Sequence, residues 1–92
     1  MNRRLKKERK KIDIIDQQIF KLIKRRTIIV KKMLTLKKYK NQIVDKKRIK
    51  IILKRIRKKS LKNQIDPKVT NRIWKNIVWS YIDYERRNFN KK

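Results

Sequence analysis

No glycine occurs anywhere in the 92 residues, and proline occurs once, at Pro67. A chain so poor in turn formers has few places to reverse direction, which disfavours hairpin-built sheets and leaves helices as its units. The apolar spacing agrees. From Leu5 to about Tyr39 two heptad-spaced columns run without interruption. One holds Ile12, Ile19, Arg26 and Met33; the other holds Arg9, Asp16, Ile23, Val30 and Lys37. Columns at this spacing form the seam of a long helix packed on another helix. Some 35 helical residues span roughly 50 Å, too long for a compact monomer of this length. No internal repeat supplies a covering helix from within the chain, so a second copy is expected to do so.

Two shorter helices follow. Tyr39-Lys40-Asn41-Gln42 breaks the apolar pattern and reads as a connection. A second helix is expected from about Asp45 to Ser60, with Ile49, Ile52, Leu53 and Ile56 on one face. Lys62-Asn63-Gln64 is the next connection, and Asp66-Pro67 is the clearest local signal: Asp as N-cap with Pro at the first helical position. The third helix is expected to run to about Asn88, with Val69, Ile73, Ile77 and Tyr81 at four-residue steps. The expected fold is all-α: three helices (long, short, medium) per chain, in an intertwined homodimer with antiparallel long helices. Residues 1–92 form one domain in this reading, the last four frayed.

Composition removes whole classes of chemistry. With no Cys and no His, disulfides, thiolate nucleophiles, the usual zinc sites and His-based proton transfer are excluded, and no metal or cofactor is expected. No apolar run reaches the roughly 18–20 residues of a membrane span, and no signal peptide is read at the N-terminus. A soluble, cytoplasmic protein is therefore expected. The net charge of +26 invites a nucleic-acid reading. Yet Lys (22), Ile (16) and Asn (7) make up 45 residues while Ala is absent, which is the signature of a coding sequence drifting toward AT. No binding motif or aromatic platform accompanies the charge, so nucleic acid is not the expected partner.

The placement of charge says more than its amount. Arg9, Asp16, Arg26 and Lys37 occupy seam positions that should be apolar. Two readings stand. They are surface residues of a noisy basic helix, long side chains reaching water from its margin. Or Arg9, Arg26 and Lys37 are cations inside a bundle, which require an anion because an uncompensated buried charge is costly. Only 7 acidic residues are present to supply one, so a carboxylate ligand would complete the site. Arg26 and Lys37 lie about 16 Å apart along one face, whereas Arg9 lies about 25 Å from Arg26, out of reach on the same helix. If two long helices pack antiparallel with their dyad near residue 20, Arg9 of one copy lands opposite residue 31 of the other, between Arg26 and Lys37. A site shared across a symmetric dimer follows from that spacing.

The chain resembles the all-helical chorismate mutase family. The likeness rests on Arg9-Lys10-Lys11-Ile12-Asp13-Ile14-Ile15-Asp16, then Leu22-Ile23-Lys24-Arg25-Arg26, Lys37, Asp45-Lys46-Lys47-Arg48, and Asp66-Pro67 opening the last helix. It covers about Leu5 to Glu85, and the order and spacing of the pieces are more specific than any one of them. The resemblance implies an intertwined dimer whose two active sites each borrow an arginine from the partner. Arg9 would be that arginine, while Arg26 and Lys37 come from the chain housing the rest. Asp45, Arg48 and Ile49 would line the wall from the second helix, and Tyr81 and Glu85 would face the ligand from the third. The implied substrate is a small dicarboxylate, chorismate or isochorismate, held without a cofactor. The implied reaction is a pericyclic rearrangement to prephenate, with Arg9 and Arg26 on the carboxylates and Lys37 donating to the ether oxygen.

Three positions depart from that pattern. Ile49 stands where the family usually has a glutamate that receives a substrate hydroxyl. The Lys37-to-Arg48 gap is one residue shorter than in typical mutases. Both, with Trp79-Ser80-Tyr81-Ile82, look more like the branch that makes salicylate and pyruvate from isochorismate. Glu85 stands where the family commonly has Gln. A carboxylate beside an ether oxygen helps only when protonated, so activity would rise toward acid pH; alternatively Glu85 simply pairs with Arg48 or Lys37. Mutase is the leading expectation and the lyase the runner-up. A basic nucleic-acid-binding bundle and a degenerate, inactive family member are the remaining alternatives.

Overall fold

A computed structural model describes residues 2–90 as helices α1 (Arg3–Leu36), α2 (Lys46–Lys62) and α3 (Pro67–Asn88), with a 3-10 turn at Lys40–Gln42 and no strand among them. The all-α, long–short–medium architecture expected from the sequence is the observed one. The chain divides into two units between Met33 and Leu34.

The first unit is the body of α1. Asn2 starts it, its side-chain oxygen accepting from the Arg4 amide at 2.8 Å and so satisfying one of the free donors of the first turn. Every residue from Asn2 to Leu22 is exposed. Ile23, Arg26 and Thr27 are half-buried and Val30 is buried. The Thr27 hydroxyl donates to the Ile23 carbonyl one turn back, at 2.8 Å.

The second unit holds a core of its own. Just past the end of α1, the Gln42 side-chain oxygen accepts from the amides of Lys38 (2.7 Å) and Tyr39 (2.9 Å). Those two donors are taken by a side chain rather than by helix carbonyls. This is why α1 stops at Leu36 and not near Tyr39, as the apolar pattern suggests. Asp45 then caps α2, accepting from the Arg48 amide at 3.0 Å. Asp66 caps α3, accepting from the Lys68 amide at 2.9 Å, with Pro67 at the first helical position as expected.

Helices α2 and α3 pack as a hairpin. Its closed end is a hydroxyl pair, Ser60 Oγ to Thr70 Oγ1 at 2.6 Å. Each hydroxyl also donates to a carbonyl of its own helix, Ser60 to Ile56 at 2.6 Å and Thr70 to Pro67 at 3.4 Å. The connection between the helices is tight: the Ile65 amide reaches back to the Ser60 carbonyl at 2.9 Å, and Gln64 sits at φ 56. That left-handed position is the usual place for glycine at a helix end. With no glycine in the chain, Gln64 bears the steric cost. Further along, Ile43, Val78 and Ile82 are buried together, with Val44, Ile49, Ile52 and Phe89 packed against them. Phe89 leaves the helix in an extended conformation yet packs on this cluster, so the fraying expected of the last four residues does not extend to it. Lys91 and Lys92, also expected to fray, lie outside the described residues. Trp74 is half-buried on α3 and Trp79 is exposed, because side chains five residues apart on a helix face different ways.

Candidate active site

The clearest polar feature of the second unit joins its two ends. Lys37 follows directly on α1, and Glu85 lies one turn before the end of α3. The Lys37 ammonium donates to Glu85 Oε1 at 2.7 Å, across 48 residues of sequence. Side-chain exposure is 18% for Lys37 and 7% for Glu85, against more than 60% for the members of Lys11–Glu8 and Arg87–Asp83. Exposed ion pairs of that sort contribute little. A shielded one matters more, because removing one partner strands the other charge away from water. Of the pairings expected for Glu85, the observed partner is Lys37 and not Arg48.

An ammonium has three hydrogens, and Glu85 takes one. The pair therefore holds Nζ in place while leaving it able to donate to a ligand oxygen. Tyr81 stands one turn before Glu85 on the same face of α3 and is half-buried. Beside Lys37 lies an open hollow of about 570 Å³, lined also by Asn41, Gln42, Val44, Asp45, Lys46 and Lys47. Lys37 and Asp45 thus border the same space. The Asp45 carboxylate is engaged with the Arg48 amide as a helix cap, which fixes the backbone at that edge. Arg48 is exposed on the first turn of α2. Ile49 is half-buried and packs on the cluster of Ile43, Val78 and Ile82.

Arg9 and Arg26 belong to the first unit. Seventeen residues of helix put them about 25 Å apart, so one copy of α1 does not bring both to one small ligand. Arg26 is half-buried with Nη1 shielded from solvent, although its position in the heptad column is one expected to be apolar. Arg9 is exposed. Asp16, the seam carboxylate, is exposed too, beside Asp13, Gln17, Phe20 and Lys21 around a shallow hollow on α1.

Sequence reasoning did not single out Asn41, Gln42, Lys46 or Lys47 as lining residues. Asn41 and Gln42 read as a connection, and nothing in the local pattern marks which connection borders a hollow. Among the described residues no cluster of three or more Asp or Glu could hold a metal ion, and no helix is long and apolar enough to cross a membrane.

Comparison with curated proteins and with solved structures returns no match. The family model described as chorismate mutase type II matches residues 8–86, a stretch that runs from just before Arg9 to just past Glu85. The chain belongs to the chorismate mutase type II family.

Proposed function

We propose that this chain is a chorismate mutase, converting chorismate to prephenate in a cationic pocket shared between two copies of a single 92-residue domain. The observation that carries the reading is the family match over residues 8–86, which takes in Arg9, Arg26, Lys37, Arg48 and Glu85 together. The reaction is a pericyclic rearrangement, so it needs neither a nucleophile nor an obligatory proton transfer. It needs a dianion held in its compact reactive conformer and a donor where the breaking ether oxygen gains negative charge. In this reading Arg26 and a second copy's Arg9 hold the two carboxylates. Lys37 donates to the ether oxygen and Glu85 orients it. Asp45, Arg48 and Tyr81 border the ligand, and Ile49 backs the wall through the core.

The second copy is argued from α1. Ile12, Ile15, Ile19 and Phe20 are each about half exposed or more. Covering a side chain of this size is worth about 1.5–3 kcal/mol. Two antiparallel copies of α1 would cover these side chains together and carry Arg9 toward the other copy's Lys37.

A second reading, isochorismate–pyruvate lyase, is favoured by Ile49. A purely apolar side chain at that position offers no acceptor for a substrate hydroxyl. Parallel product assays separate the two. Prephenate from chorismate is the expected result; salicylate with pyruvate from isochorismate, and none from chorismate, would replace the mutase by the lyase. Tight binding of a transition-state analogue without turnover of either substrate would mark a degenerate member.

A further inference from the structure

The pocket leaves most of the charge unused, and the structure concentrates it. Ten of the 17 residues of α2 are Lys or Arg and none is acidic. All ten are exposed. Among the described residues the ion pairs Lys11–Glu8, Lys37–Glu85 and Arg87–Asp83 involve none of them. The apolar stripe of α2 is used internally, with Ile49 and Ile52 packed on the core. What faces water is a wide cationic arc, interrupted by the exposed Ile51 and Leu61. Lys50, Lys54, Lys58 and Lys62 form a four-step column along it, a like-charge arrangement that destabilises a helix until an anion neutralises it. Where α2 meets α3, Lys54 and Arg57 share an open groove of about 400 Å³ with Lys68, which extends the arc past the helix.

We propose that the solvent face of α2 binds the phosphate backbone of nucleic acid without sequence preference. Ten cations on a helix of about 25 Å give one per roughly 2.5 Å, a density close to the one phosphate per roughly 1.7 Å of a duplex. The competing occupant of a basic helix is an anionic membrane. Membrane-surface helices insert an apolar face, and the apolar face of α2 is already packed on α3. Compositional drift explains how the lysines arose; it does not cancel the field they make once α2 gathers them on one side. Nucleic acid, not the partner expected from sequence, is thus assigned to this face, whose first turn (Lys46, Lys47 and, in the proposed reading, Arg48) also borders the pocket.

The test is fluorescence anisotropy with a labelled 25-base-pair duplex of arbitrary sequence, from 50 to 200 mM KCl. The wild-type chain is compared with K50Q/K54Q/K58Q/K62Q, and with K6Q/K7Q/K10Q/K24Q on α1 as a control of equal net charge. Glutamine matches lysine in helix propensity, so helicity by circular dichroism should hold. If it falls, the double variant K54Q/K58Q carries the test. Wild type should lose about 10³-fold or more in affinity across that range, as multi-phosphate binders do. The α2 variant should flatten the log–log salt slope by about 3, or about 1–2 for the double variant, and the α1 control by less than about 1. Equal flattening by both quadruple variants would overturn the assignment to α2. No duplex binding at 50 mM, with or without binding to phosphatidylserine vesicles, would overturn the proposal altogether.

Discussion

Residues 2–33 and residues 34–90 place their apolar side chains in opposite ways. In the second stretch Ile43, Val78 and Ile82 are buried together, and four further hydrophobic residues pack on them. In the first, Val30 is the one buried residue, while Ile12, Ile14, Ile15, Ile19, Phe20 and Leu22 are all exposed. Large apolar residues exposed this densely on one helix exceed the scatter normal for a surface, and the proposed second copy would cover them. The polar groups differ in parallel. The second stretch encloses its own ion pair, Lys37–Glu85, whereas the first carries Arg9 and Arg26 on a helix too long for both to serve one ligand. One part of the molecule is finished within the chain. The other leaves its large apolar side chains exposed to solvent.

Substitutions on either side of the divide sharpen that contrast. The largest effect is expected at the finished side's functional pair: Lys37→Ala should lower kcat/KM by about 10²–10³-fold, the range for removing one preorganised donor, with the helical signal retained. Steady-state turnover of chorismate checks it, and near-normal activity would dismantle the pocket. Next come paired truncations. Ile82→Ala in the core should cost about 2–4 kcal/mol in denaturant unfolding whatever the protein concentration. Ile19→Ala on α1 should act mainly through association, lowering the midpoint more at low protein concentration than at high. If the two variants lose stability with the same concentration dependence, the contrast between the stretches fails. The smallest effect is a gain. Gln64→Gly should stabilise the chain by about 0.5–1 kcal/mol, because the left-handed backbone at φ 56 no longer strains a β-carbon.

What could be read from the residues alone tracks the range of the forces involved. The helices themselves and the Asp66-Pro67 start depend on neighbours within a turn and stand close to where spacing puts them, although α2 runs on past Ser60 to Lys62, which reads as part of the connection. The end of α1 falls earlier than the apolar pattern suggests because its cause is a side chain six residues past Leu36: Gln42 takes the Lys38 and Tyr39 amides. The hydroxyl pair Ser60–Thr70 and the left-handed Gln64 left no mark, since neither Ser, Thr nor Gln signals a helix hairpin by type. Of the candidate site, the seam cations were visible as violations of the heptad pattern. The pairing of Glu85 was visible only as a choice between partners, because contacts across 48 residues are decided by packing. Ile49 shows the same limit: substitution against a family pattern flagged it, but its place against Ile43, Val78 and Ile82 needed the fold.

The claim everything else leans on is that α1 completes a pocket in another copy of the chain. It is tested most directly by mixing two inactive variants, Arg9→Ala and Arg26→Ala, after unfolding and refolding them together in equal amounts. In a shared-site dimer each heterodimer carries one intact and one doubly damaged pocket, so random assortment should restore about a quarter of wild-type turnover. A mixture that stays as inactive as its two parents, with mixed dimers present, would contradict the shared site.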